Sequence, residues 1–286
     1  MARMNELFPI MAAAPRAART LSEMELLRQH PVLWVAFAEL LLLGVAADVW
    51  LLVSLARARG RLPLRVPAKA WGVHDLLAVT GLLLLTMFTG LGLLALVMRK
   101  ADSIWFLAGD CALRLAFLAG LLAYVRRRGA TLDWHWTPRG VIGFFAVLPP
   151  LAAASLAVTQ VFHWLKITPT PQPVTLLFVE TKSSTEVALL VWLALAVAPV
   201  FEEIFFRGFA YPALKQRWGA LPAMLTVSAV FAAIHFHAES ALPLFVLAIG
   251  FTLAYEVTGS LVAPVTMHIL FNAANVAMLL YARWHP

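Results

Sequence analysis

The stretch EVALLVWLALAVAPVFEEIFFRGFAY, Glu186–Tyr211, decides the reading of this chain. Its first part is an unbroken apolar run, and its whole length exceeds the about 20 residues a helix needs to cross a bilayer. Its second part carries Glu202, Glu203 and Arg207 among Phe201, Ile204, Phe205, Phe206 and Phe209. A charged side chain at the bilayer centre costs about 2.5–3.5 kcal/mol, so the three together could cost up to about 10 kcal/mol if deep and unpaired. They must pair, or face a polar cavity. Glu203 and Arg207 are four apart and share a helix face, so they pair. Glu202 and Arg207 are five apart and diverge by about 140°. Glu202 is left without a partner on its own helix, which suits a proton acceptor or donor. The plainer alternative puts both glutamates at a helix end near headgroups.

The rest of the chain agrees that lipid is its solvent. Of 286 residues, 62% are hydrophobic and 13% charged, with a mean hydropathy of +0.84. Soluble proteins carry about 25% charged residues, and a chain this apolar cannot cover itself with polar surface. The net charge of +7 does not signal nucleic acid, because Lys and Arg sit mostly between apolar runs, as membrane topology requires. No nucleic-acid partner is expected. Cys111, the single cysteine, lies in an apolar run and reads as packing.

The fold class expected is all-α, a polytopic transmembrane helical bundle of about eight spans. The candidates are Val32–Leu55, Leu76–Met98, Trp105–Val125, Val141–Leu165, Glu186–Tyr211, Leu221–Phe236, Leu242–Thr258 and Leu261–Tyr281, the sixth and seventh being short. Four regions follow: an N-terminal tail, 1–31; a transmembrane scaffold, 32–165; a proline-containing loop, 166–185; and a functional helical region, 186–286. The stretch Leu7–Pro15 is too short and wrongly flanked for a cleavable signal peptide. Arg57, Arg59, Arg61, Arg65 and Lys69, with Arg126, Arg127, Arg128 and Arg139, mark one end of the bundle as cytoplasmic. Arg3, Arg16, Arg19 and Arg28 in the tail pull the other way. Pro149–Pro150 and Pro199 fall inside spans and kink them. No internal repeat of the transporter kind is present.

Two further spans bring polar groups. The sixth ends Phe231-Ala232-Ala233-Ile234-His235, and the eighth holds His268-Ile269-Leu270-Phe271-Asn272, whose two polar residues are four apart on one side of their helix. A lone histidine in such a place is more often a packing residue. A glutamate pair, a histidine and a His/Asn pair on three spans of one half point to a shared wet cavity that activates one water.

The three motifs, Glu202-Glu203-x-x-x-Arg207, Phe231-x-x-x-His235 and His268-x-x-x-Asn272, resemble in order those of the CAAX protease and bacteriocin-processing family, which includes type II CAAX prenyl endopeptidases and Abi-type proteins. The resemblance covers about Val197–Asn275 and implies an eight-helix intramembrane endopeptidase. It implies that Glu202, with His235, activates the attacking water. It implies that His268 and Asn272 stabilise the oxyanion, and that Glu203 and Arg207 hold the geometry. The residues suit this division, since hydrolysis needs a base for water and donors for the developing charge. The expected substrate is a membrane-associated peptide or protein, the setting a multi-pass protein of the cell membrane in contact with lipid. No cofactor is expected. A divalent metal such as zinc is the less favoured alternative, because no His-Glu pair occurs in the chain. The competing class is a non-catalytic transporter, ion pathway or immunity-type binding protein. Asp110 and Arg114 read as an i,i+4 structural pair; His237 and Glu239 read as solvated loop groups, and Glu256 as interfacial.

Overall fold

The computed structural model describes residues 31–60, 63–97, 103–168, 170, 172–181 and 183–284. The expected N-terminal tail, but for Pro31, lies outside the described residues. Among these the chain is all helical, and seven helices are long and apolar enough to cross a membrane. The chain is a multi-pass helical bundle.

The helices are α1 (Pro31–Arg57), α2 (Val73–Val97), α3 (Ser103–Arg127), α4 (Arg139–Leu165) and the short α5 (Pro173–Glu180). A single long span follows, made of α6 (Ser184–Trp192), a π-turn (Leu193–Val197), α7 (Ala198–Glu203), a second π-turn (Ile204–Ala210) and α8 (Tyr211–Trp218). Then come α9 (Ala220–Ala233), α10 (Ala238–Thr258) and α11 (Val262–Trp284). The expected sixth span is α9, an apolar helix of 14 residues, shorter than the seven candidate spans. The expected proline loop contains α5. The Pro149–Pro150 pair lies within an unbroken α4.

Proline writes the irregularity of the long span. Each π-turn is followed, two residues on, by a proline: Pro199 and Pro212. Proline has no N–H and its ring crowds the carbonyl four residues back. A π-turn accommodates this by moving the preceding N–H to an i−5 acceptor. Accordingly Ala198 donates to the Leu193 carbonyl and Tyr211 to the Phe206 carbonyl. Each extra residue rotates everything downstream, so these turns set which way Glu202 and Arg207 face.

The arginine-rich connections meet at one end, as expected. Lys69 Nζ donates to the Thr131 carbonyl (3.1 Å), Leu261 N–H to the Asp133 carbonyl (2.9 Å) and Ser260 Oγ–H to the His135 carbonyl (2.6 Å). Burial pushes the Lys69 ammonium down, while the His135 contact holds Asp133 below the usual carboxylate range. Gly259, with φ 75°, ends α10 in the left-handed conformation that favours glycine. Glu256, read from the sequence as interfacial, is 3% exposed. It accepts from Lys215 Nζ (2.7 Å), Tyr211 Oη (2.5 Å) and the Val66 N–H (3.3 Å), because residues 63–72 fold back over the helix ends.

Helices α4 and α11 cross where no side chain intervenes. A Cβ on Gly140 would stand 2.7 Å from the Ala263 carbonyl oxygen. Backbone cannot yield as a side chain can, so Gly140→Val should force the helices apart and cost about 1–3 kcal/mol. Thermal unfolding in detergent micelles would register this as a lowered midpoint, and an unchanged midpoint contradicts the close crossing.

Candidate active site

Arg207 and Glu203 are both fully buried, and Arg207 Nη1 donates to Glu203 Oε1 at 2.9 Å. This is the ion pair expected from spacing. The guanidinium is further held by α10: Nε donates to Thr252 Oγ1 (3.3 Å) and Nη2 to the Ala248 carbonyl (3.0 Å). The rings of Phe231, Phe251 and Phe206 surround it at 4.9, 5.2 and 5.9 Å. A cation removed from water is thus given hydrogen bonds and π-faces in place of hydration.

Glu203 Oε1 has a second task. It accepts from His268 Nδ1 at 2.8 Å, across to α11. A carboxylate only accepts, so Nδ1 carries the hydrogen, and in the neutral form of the ring Nε2 is the free nitrogen. The ring is fixed by stacking on Phe251, with centroids 5.0 Å apart and planes 25° apart. Its Nε2 lies 3.9 Å from Glu202 Oε2. That is beyond hydrogen-bond length and within the span one water bridges. Glu202 Oε2 is buried and has no hydrogen-bond partner in the protein, while the Glu202 side chain as a whole is 16% exposed. The spacing along the helix predicts this lack of a partner.

His235 closes the α9 end, just beyond Ala233. Its Nδ1–H donates to the Phe231 carbonyl at 2.7 Å, leaving Nε2 free here too. The His235 and His268 rings both contact Phe231, at 4.9 and 6.0 Å between centroids. His235 makes no ion pair with Glu202 among the described residues; the imidazole brought to Glu202 is His268. Next to His235, Phe236 is 93% exposed and has φ 48°. Strained backbone of this kind clusters at functional sites. Asn272 makes no hydrogen bond to either carboxylate among the described residues: its Nδ2 donates to the Ala194 carbonyl at 2.8 Å.

Three contributions were not visible in the sequence. Ala248, Thr252 and Phe251 of α10 complete the cage around Arg207, and only an α10 register running back into the site could have signalled them. Arg114, paired with Asp110 as expected (2.8 Å), also lies 5.7 Å from the Phe201 ring and within Coulomb range of Glu202. His237 and Glu239, read as solvated, bind the backbone of Thr170: the Thr170 N–H donates to Glu239 at 2.7 Å, and His237 Nε2–H donates to its carbonyl at 2.7 Å.

Removing one partner of a buried pair leaves the other charge unpaired, at about 3–5 kcal/mol. Arg207→Met should therefore unfold at a much lower temperature than wild type. Adding Glu203→Gln should recover a large part of the loss, because the stranded carboxylate is then gone. A single Arg207→Met variant as stable as wild type contradicts this account of the pair.

The comparisons with known proteins bear on the same residues. No curated protein and no solved structure matches the chain. One family does: residues 184–274, about a third of the chain, match the family described as Rce1-like, type II CAAX prenyl endopeptidase Rce1-like. The matched region runs from the start of α6 into α11 and contains Glu202, Glu203, Arg207, His235, His268 and Asn272. Through residues 184–274 the chain is similar to the type II CAAX prenyl endopeptidase family.

Proposed function

We propose that this protein is an intramembrane endopeptidase of the cell membrane that hydrolyses a peptide bond of a membrane-associated peptide or protein. The observation that carries the reading is the unpartnered Glu202 Oε2, 3.9 Å from the free Nε2 of His268. Two acceptors facing each other at this distance repel unless a molecule with two hydrogens joins them. Water is that molecule.

The chemistry follows from the order of the partners. Glu202 takes the proton as the water oxygen attacks the scissile carbonyl, and later returns it to the leaving amine. His268 orients the same water. Its own orientation comes from Glu203, as a carboxylate orients the histidine in hydrolases that use a nucleophile. Arg207 holds Glu203 in place through its hydrogen bond. His235, held at Nδ1 by the Phe231 carbonyl, offers Nε2 at the edge of the site; as imidazolium it is the donor for the developing oxyanion. This exchanges the two histidines between the roles the family resemblance implies, on the ground that His268 is the one near Glu202.

The donor set does not favour a metal. Among the described residues no three His, Cys, Asp or Glu side chains are grouped to hold an ion. Glu203 Oε1 is already shared by Arg207 and His268. We expect the purified enzyme to keep its activity through treatment with a chelator, and loss that zinc restores would refute the metal-free reading.

The principal test is quantitative peptidomics of membranes carrying wild-type protein or Glu202→Gln. The substitution keeps the shape and removes the base. Cleavage products present with wild type should be lost by about 10²–10⁴-fold, with the thermal midpoint unchanged. Full cleavage by a folded Glu202→Gln protein would end the proposal.

A further inference from the structure

We infer that Asn272 is a positioning residue: its amide replaces the N–H that Pro199 lacks, and so holds the turn that aims Glu202 at the attacking water. The inference rests on the endopeptidase reading above for what the turn is for, but not for the hydrogen bond itself.

One carbonyl is decisive. In an α-helix the Ala194 carbonyl would accept from the N–H of residue 198; in a π-turn it would accept from residue 199. Ala198 N–H is taken by the Leu193 carbonyl. Residue 199 is proline and has none. The Ala194 carbonyl thus has no donor on its own helix, in a segment where no water solvates the backbone and an unpaired carbonyl is costly. Asn272 Nδ2 meets it at 2.8 Å from α11, 78 residues away in sequence.

The consequence for the site is geometric. The π-turn inserts one residue, and so rotates Glu202 relative to a continuous helix by about 100°. Glu202 stands three residues beyond Pro199. Asn272 and His268 are one turn apart on α11. One helix therefore fixes the long span at two points: His268 through Glu203, after the turn, and Asn272 through Ala194, before it. With both points held, the separation between Glu202 Oε2 and His268 Nε2 is set. With the Ala194 point free, the turn can slip to α-register and carry the carboxylate away.

A double-mutant cycle of Asn272→Ala and Pro199→Ala separates this from a direct catalytic role. Alanine in place of Pro199 supplies the missing N–H, so the Ala194 carbonyl no longer needs Asn272. With Pro199 in place, Asn272→Ala should lower the thermal midpoint by about 2–4 °C. In the Pro199→Ala background it should lower it by far less. Equal losses in the two backgrounds overturn the inference, and this readout does not depend on any protease activity. On a synthetic peptide spanning a site found by peptidomics, Asn272→Ala should lower kcat about 10–100-fold with KM little changed. That loss should vanish in the Pro199→Ala background, whereas an oxyanion donor would be missed equally in both. Should Pro199→Ala fail to fold, hydrogen exchange of Asn272→Ala alone decides: the amides of Ala198 and of Val200, Phe201, Glu202 and Glu203 should exchange faster than in wild type, and unchanged exchange there refutes the tie.

Discussion

A guanidinium with no exposed surface, in a span built to sit in lipid, is the constraint on which the rest of the site depends. Arg207 cannot stay buried unless its donors find acceptors, and the three it uses come from two helices: Glu203 on its own, Thr252 and Ala248 on α10. This ties α10 to the long span. Glu203, once ionised beside Arg207, in turn needs a second donor, and His268 of α11 supplies it. One buried charge thus draws three segments together, and the residue that would gain most from such an arrangement is the neighbouring Glu202. It shares the polar surroundings and has no partner of its own.

The division of labour between adjacent glutamates is a consequence of helical angle. Neighbours on a helix point about 100° apart. Glu203 faces inward and is fully buried, whereas Glu202 keeps some exposed surface. The first is committed to the ion pair, and the second keeps an oxygen with no hydrogen-bond partner. Phe231 performs a similar double service, since its ring contacts both imidazoles and covers the Arg207 guanidinium. Its carbonyl fixes the His235 tautomer. The phenylalanine of the Phe-x-x-x-His motif is thereby explained by what it touches, both imidazoles and the guanidinium.

Local rules made much of this legible before any coordinates. Length and apolarity located the spans, and spacing of four found both the Glu203–Arg207 and Asp110–Arg114 pairs, because such pairs lie within one helix. Spacing also left Glu202 alone. What could not be read was whatever depended on register between helices. His268 is 65 residues from Glu203, and nothing in either motif says which of the two histidines meets which glutamate. Glu256 looked interfacial because it closes a span; it is buried because the segment before α2 folds back and gives it the Val66 N–H. Pro199 predicted a break in the helix, but its form, a π-turn whose stranded carbonyl is met from α11, required the neighbour to be known.

Two irregular turns flank Glu202 and Glu203 for a related physical reason. A regular helix would satisfy its own backbone and need no neighbour, so its side chains would be aimed by packing alone. A proline-broken one exposes a carbonyl that another helix must answer, and the answer fixes rotation as well as distance. In lipid this is a strong device, because no water competes for the carbonyl. It also has a cost, for the turn is held only while α11 is in place. A site assembled from such mutually dependent ties is held to one geometry by hydrogen bonds as well as by the packing of Phe201, Phe205, Phe206 and Phe231. The same ties leave Glu202 with some exposed surface while Glu203 and Arg207 beside it have none.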